Sequence, residues 1–185
     1  MVSETGNFGT GTFTTSLTGL SVNTRYDARA FATSSAGTGY DACTTFWTLA
    51  NVPADPTVSS PAATTLDVTV NNNGNPTATT QYAISESSAN QYVQATGTLS
   101  ATTGWQSEDA WGSITVTGLE TGSIYTFCVK ARNGALVETA FSGCASGTTC
   151  TNPTSGAEIA AIQTTCYGDT PGSLHQRRSC QRVGR

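Results

Sequence analysis

The sequence predicts an all-β chain built from tandem β-sandwich units. Three observations carry that expectation. The first is a repeat. Thr18-Gly19-Leu20 is followed by Tyr26 and Thr117-Gly118-Leu119 by Tyr125, and both Leu20 to Leu119 and Tyr26 to Tyr125 span 99 residues. A period near a hundred residues is too long for a solenoid repeat and suits one small sandwich per period. The second is composition: Thr, Ser, Gly and Asn dominate, and charged residues make up only 11%. Thr, Val, Ile and aromatics on a Gly/Asn background favour short strands joined by turns. The third is that no window carries a sustained i, i+3, i+4, i+7 apolar stripe.

Taken in order, Phe13, Thr15 and Leu17 alternate and predict a strand that ends at Thr18-Gly19-Leu20. Tyr26, Ala28, Ala30 and Ala32 alternate with Asp27, Arg29 and Phe31, a second strand closed by a turn over residues 34–39. Another strand runs from Thr44 to Thr48. Pro53 and Pro56 then hold the chain extended and mark a boundary. In the next unit Leu66, Val68 and Val70 form one face of a half-buried strand, and Asn71-Asn72-Asn73-Gly74-Asn75-Pro76 is a turn. Tyr82 and Ile84 share the inner face of the following strand. Tyr92, Val93 and Leu99 anchor a weakly patterned stretch. Trp105 and Trp111 flank an acidic turn at Glu108-Asp109. Ile114 and Val116 lead to Leu119. Tyr125, Phe127, Val129 and Ala131 alternate with Thr126, Cys128, Lys130 and Arg132. Asn133-Gly134 opens a hairpin loop, and a last strand covers about 140–149. Seven strands in about a hundred residues is the count of an immunoglobulin-like sandwich.

These residues resemble fibronectin type III domains. The resemblance rests on Pro53-x-x-Pro56, Leu66-x-Val68-x-Val70, Tyr82-x-Ile84 and, above all, Leu119 with Tyr125, Phe127, Val129 and Ala131. It implies that Leu20 with Tyr26, and Leu119 with Tyr125, build tyrosine corners, in which the Tyr hydroxyl bonds back to upstream backbone. The family's buried Trp at the end of the second strand is Val70 here, which leaves Trp105 or Trp111 to fill the core. Residues 1–50 are then expected to be the C-terminal half of one such domain, and 51–150 a complete one. Residues 151–174 resemble the opening of an immunoglobulin-like or PKD-like repeat of large bacterial surface adhesins. Residues 175–185 are expected to be a basic, disordered tail; they break composition and are read as truncated or out of frame, with a genuine tail that binds an anionic surface as the alternative. The half domain lacks its opposing sheet, and weak order or sticking to another copy is expected of it.

Net charge is -4, and four of the eight basic residues (Arg177, Arg178, Arg182, Arg185) lie in the last nine positions. The acidic body offers no basic face for phosphates, so nucleic acid is not an expected partner. No apolar run approaches the roughly 20 residues that cross a bilayer. No leader segment precedes the first strand in this sequence, and an extracellular or bacterial cell-surface location is expected despite that. Six scattered cysteines (Cys43, Cys128, Cys144, Cys150, Cys166, Cys180) in a β chain fit an oxidising compartment, and with no C-x-x-C spacing and a lone His175 a zinc site is unsupported.

Cys128 and Cys144 lie symmetrically about Leu136, which places them opposite each other on adjacent strands and predicts a disulfide on the outward face. A register off by one would leave two thiols instead. Arg29 stands where Cys128 does, so Cys43 lacks a matching partner. Cys150 and Cys166 are a further possible pair, with connectivity open. The Asn71–Pro76 loop lacks the carboxylates that calcium wants and reads as a plain loop. Trp105, Trp111, Tyr92 and Tyr40 are expected in the core, with an exposed sugar platform as the alternative. Adjacent Glu108 and Asp109 point apart, unlike the facing carboxyls of a glycosidase. Asp41, Asp55 and Asp169 have no partnering His or Lys, and no nucleophile, zinc or phosphate-loop motif is present. No catalytic residue, cofactor or metal is therefore expected. The expected function is that of a non-catalytic spacer or adhesion module of a large bacterial extracellular protein. The alternative is an accessory module of a secreted polysaccharide-degrading enzyme. Expected partners are neighbouring domains of the parent chain, with surface glycans or proteins as further candidates.

Overall fold

Alternating apolar and polar residues become ladders where two such segments can face each other. The computed structural model describes residues 11–12 and 14–151. In the first part of the chain β1 (Arg25–Ala28), β2 (Phe31–Ser34), β3 (Gly37–Tyr40) and β4 (Thr44–Trp47) form two antiparallel ladders, β1 with β4 and β2 with β3. The single strand expected from Tyr26 to Ala32 is broken at Arg29-Ala30, because β1 and β2 pair with different partners. The turn expected over 34–39 is tighter than its composition suggests: only Ser35 and Ala36 lie between β2 and β3.

The strand expected through Phe13, Thr15 and Leu17 is not formed in residues 14–20, and Phe13 itself lies outside the described residues. The reason is visible in the later repeat. There β11 (Ser113–Val116) occupies the corresponding place and is held by the central strand β6 (Leu66–Asn71). Among the described residues no strand corresponding to β6 precedes β1, and a ladder needs a neighbouring strand as well as alternation.

The rest of the described chain is a two-sheet sandwich. One sheet has the order β11-β6-β5, with β5 spanning Ala54–Ser59. The other has the order β13-β12-β7-β8-β9, with β10 added to β7. Its strands are β7 (Gln81–Glu86), β8 (Gln91–Val93), β9 (Leu99–Ser100), β10 (Gln106–Ser107), β12 (Ile124–Arg132) and β13 (Cys144–Thr148). All the ladders are antiparallel. Leu66, Val68 and Val70 of β6 meet Tyr82 and Ile84 of β7 and Phe127, Val129 and Ala131 of β12 across the layer. Each large side chain so buried stabilises the sandwich by roughly 1.5–3 kcal/mol relative to exposure. The fold is all-β and immunoglobulin-like, the class expected.

Trp111 takes the core volume that Val70 leaves. It is buried, and its indole Nε1 donates to the Tyr82 carbonyl at 2.9 Å. The acidic turn before it is a one-turn helix, α1 (Glu108–Trp111), whose Ala110 N donates to the Ser107 hydroxyl at 3.3 Å. Glu108 and Asp109 lie in its first turn, where the helix dipole favours them. Among the described residues one carboxylate, Glu86, is fully buried. It accepts from Ala89 N at 2.7 Å, Ser88 N at 3.1 Å and Thr126 N at 3.3 Å, so its charge is met by backbone donors.

Candidate functional site

The two tyrosine corners are built alike. Ser21 N donates to Tyr26 Oη at 2.9 Å, and Glu120 N donates to Tyr125 Oη at 2.8 Å. Gly19 and Gly118 precede them with φ of 71° and 75°, a region open to glycine at no steric cost. Leu119 is buried, and Leu20 is half-buried. The likeness extends to the closing strands. Thr24 N donates to Thr48 Oγ1 at 2.9 Å, and Ser123 N donates to Thr149 Oγ1 at 3.0 Å.

Where the two repeats meet, polar side chains join them. Asn23 is buried, and its Nδ2 donates to Thr80 Oγ1 at 2.8 Å while its Oδ1 accepts from Gly134 N at 2.9 Å. Asn133 Nδ2 donates to the Thr48 carbonyl at 3.0 Å. The Trp47 ring lies so close over Gly134 that a Cβ there would collide with it. The Asn71–Pro76 loop holds the connecting segment from the other side. Asn75 Oδ1 accepts from Asn51 N at 2.8 Å, Asn75 Nδ2 donates to Asn51 O at 2.9 Å, and Asn73 Nδ2 donates to Val52 O at 2.9 Å. The loop expected to be plain is therefore a clamp on the linker, with its amides committed to protein partners.

Cys128 and Cys144 face each other in register across β12 and β13 and form a disulfide, with Cα atoms 4.4 Å apart. Cys128 lies on the outer face with Thr126, Lys130 and Arg132, yet it is covered rather than solvent-exposed. Cys43 is exposed and unpaired. Cys150 is buried and disulfide-bonded in its turn, while Cys166 and Cys180 lie outside the described residues. So do residues 152–174 and the basic tail at 175–185.

Of the four aromatics expected in the core, only Trp111 is there. Tyr40 is exposed, with the Arg29 guanidinium 4.0 Å from its ring centre. Tyr92 and Trp105 are half-buried on the outer face of the six-strand sheet, gathered around two cations. Lys130 Nζ lies 5.4 Å from the Trp105 ring centre, 5.7 Å from Tyr92 and 5.3 Å from Phe141, and pairs with Glu138 Oε2 at 2.7 Å. Arg132 stacks 4.4 Å over Trp105, and its Nε donates to Gln81 Oε1 at 2.7 Å. The correction has a physical cause: β12 turns Lys130 and Arg132 outward, and their stems need apolar cover that the aromatics provide.

Among the described residues no group of three or more His, Cys, Asp or Glu is placed to hold a metal, and no helix is long and apolar enough to cross a membrane. Glu108 bonds Asn72 Nδ2 at 2.6 Å and Asp109 bonds Thr77 Oγ1 at 3.4 Å, so neither carboxylate faces the other across a cleft. The junction residues Asn23, Thr80, Asn133 and Gly134 were not marked by sequence reasoning. No local signal in the sequence points to them, since Asn23 meets partners 57 and 111 residues away.

No protein-family model and no curated protein matches the chain. Solved structures do. The rat CD45 extracellular region, domains d3-d4, is 18% identical over 80% of this chain and 76% of that one, with a TM-score of 0.42. The chicken CNTN1 FN1-FN3 domains are 16% identical over 71% of this chain and 44% of that one, with a TM-score of 0.41. The fibronectin type-III domain of human fibronectin type III domain containing protein 3 is 22% identical over 58% of this chain and 94% of that one, with a TM-score of 0.37.

Proposed function

We propose that this chain is a non-catalytic spacer or adhesion segment of a large bacterial extracellular or cell-surface protein. Residues 51–150 are one complete module of it, 1–50 the C-terminal half of the preceding module and 151–174 the start of the next. The observation that carries the reading is the buried junction. Asn23 spans from one repeat to the other with hydrogen bonds to Thr80 and Gly134, and Asn133 reaches back to Thr48. A flexible linker needs no buried polar contacts, whereas a segment that sets distance and angle between modules does. The disulfide at Cys128–Cys144 suits an oxidising location.

Residual dipolar couplings on the full chain test the reading. Amides of β1 and β4 and amides of β12 and β13 are expected to fit a single alignment tensor. Asn23→Gly is expected to split them into two. Two tensors in the unmodified chain would overturn the spacer reading, as would turnover of an ester, glycoside or peptide substrate by the purified protein.

A further inference from the structure

We infer that the outer face of β7 and β12 is a binding site for an acidic sugar, specifically a hexuronate unit of a polyuronate chain. The inference goes beyond the spacer reading and deepens the adhesion half of it. The two stand or fall by different measurements.

The argument begins with charge. Lys130 and Arg132 are the only basic residues between positions 51 and 150, against seven carboxylates in the same span. Both lie on one face, two residues apart on β12. Their states differ. Glu138 neutralises Lys130, whose side chain is only 14% exposed. Arg132 has no ion-pair partner among the described residues, and the contacts it makes there use Nε, toward Gln81, and the flat face of the guanidinium, against Trp105. Its terminal Nη atoms have no hydrogen-bond partner among the described residues. Held by a hydrogen bond at one edge and a ring on one face, the guanidinium is pre-oriented, and its open fork has the geometry that grips a carboxylate through two parallel bonds.

The surroundings select which carboxylate. Trp105 and Tyr92 are half-buried and Phe141 is 44% exposed, so part of each ring reaches the surface beside the fork. All three ring centres lie within 6 Å of the one ammonium, which makes them a contiguous patch. A hexuronate carries its carboxylate at the edge of a pyranose ring whose C–H face packs on aromatic carbon. An acidic peptide side chain offers the carboxylate without the rigid flat ring. The Gln81 amide lies at the Arg132 edge, where its Oε1 accepts from Arg132 Nε at 2.7 Å. The acidic body repels a polyanion at long range, so the contact must be short-ranged and is best seen at about 0.15 M salt, where that repulsion is screened beyond about 8 Å.

The test is calorimetric titration of the full chain with oligogalacturonate, with its methyl ester, with a neutral gluco-oligosaccharide and with polyglutamate. Oligogalacturonate is expected to bind and its methyl ester to bind at least about tenfold more weakly, since a charge-assisted hydrogen bond contributes roughly 1.5–3 kcal/mol. Arg132→Gln is expected to lose the acid-specific increment while retaining the wild-type melting profile. Trp105→Phe, which keeps an aromatic face, is expected to retain most of the binding. Absence of binding to oligogalacturonate overturns the inference. So does equal affinity for the methyl ester or the neutral sugar, which would mean ring stacking without acid recognition. Polyglutamate binding as tightly as oligogalacturonate overturns it in favour of an acidic protein partner.

Discussion

Asn23 and Gly122 occupy the same turn in the two repeats, and only the asparagine reaches out of it. Each lies three residues before its corner tyrosine, each has positive φ, 39° and 65°, and each donates its N–H to the segment just past the closing strand, to Leu49 O at 3.0 Å and to Cys150 O at 3.2 Å. A left-handed turn is adopted most readily by glycine and, among other residues, by asparagine and aspartate. Glycine there is further required by crowding in the second repeat, where a Cβ at Gly122 would lie 2.8 Å from Thr151 Cγ2. The same backbone thus serves two purposes. In the first repeat it carries a side chain across a junction, and in the second it makes room.

Gly134→Ala should open that junction. The new methyl would meet the Trp47 ring, and overpacking of this kind costs about 1–3 kcal/mol. Amide exchange at Gly134, whose N–H is held by Asn23 Oδ1, is expected to accelerate, with exchange in β6 and β7 unchanged. Equal protection in both proteins would show that Trp47 does not seal the contact.

Tyr125→Phe should destabilise the sandwich by about 1 kcal/mol, the net worth of one hydrogen bond, because Glu120 N loses its acceptor. Tyr26→Phe should release Ser21 N in the same way and lower protection locally in β1 and β4. Chemical denaturation of each variant checks this, and an unchanged midpoint for Tyr125→Phe would remove the corner from the set of stabilising contacts.

Replacing Cys128 and Cys144 together by Ala should lower stability by about 3 kcal/mol, the chain-entropy value for a loop of this size. The sequence separation is 16 and the pair is in register across β12 and β13. Denaturant midpoints of the oxidised chain and the double variant give the difference directly.

Stability should also fall in strong alkali, and one residue should account for part of the fall. The Tyr82 hydroxyl is buried, and burial, aided by the Glu108 charge, pushes its pKa up to about 12 against the pull of the neighbouring Thr80 and Asn75 side chains, neither of which meets it in good hydrogen-bond geometry. An unfolded tyrosine ionises near pH 10. Below that the proton is bound in both states and the contribution is fully present. Between about pH 10 and 12 the unfolded chain releases the proton while the folded chain keeps it. Stability is then lost at about 1.4 kcal/mol per pH unit. Tyr82→Phe should flatten this part of the profile and be near neutral at pH 7, since it removes an unpartnered polar atom. Melting temperatures of both proteins from pH 8 to 12 decide it.

Features whose cause is local were legible in the sequence. Leu119 and Tyr125 are six residues apart, the spacing on which the resemblance to a tyrosine corner rested, and Cys128 and Cys144 are symmetric about one hairpin, which brought them opposite each other. The core faces of β6, β7 and β12 follow from alternation. The junction was not legible, because Asn23 meets partners 57 and 111 residues away and an asparagine in a turn is ordinary by local rules. The strand expected through Thr15 and Leu17 is not formed for the complementary reason: its pattern is local, but a ladder depends on a neighbour. Tyr92 and Trp105 were assigned to the core on volume, and β12's outward cations drew them to the opposite face.

The disulfide also decides how the sandwich would yield to a pull on its C-terminal end. β13 runs antiparallel to β12, with Thr148 opposite Ile124 and Cys144 opposite Cys128, so tension applied beyond Thr148 peels rungs from the Ile124 end toward the cysteines. The peeling stops at the covalent rung. The hairpin between Cys128 and Cys144 then carries no load, which withholds on the order of 50 Å of extensible contour at about 3.4 Å per residue. A reducing environment would return that length to the chain, so the same protein would act as a short tether when oxidised and a longer one when reduced.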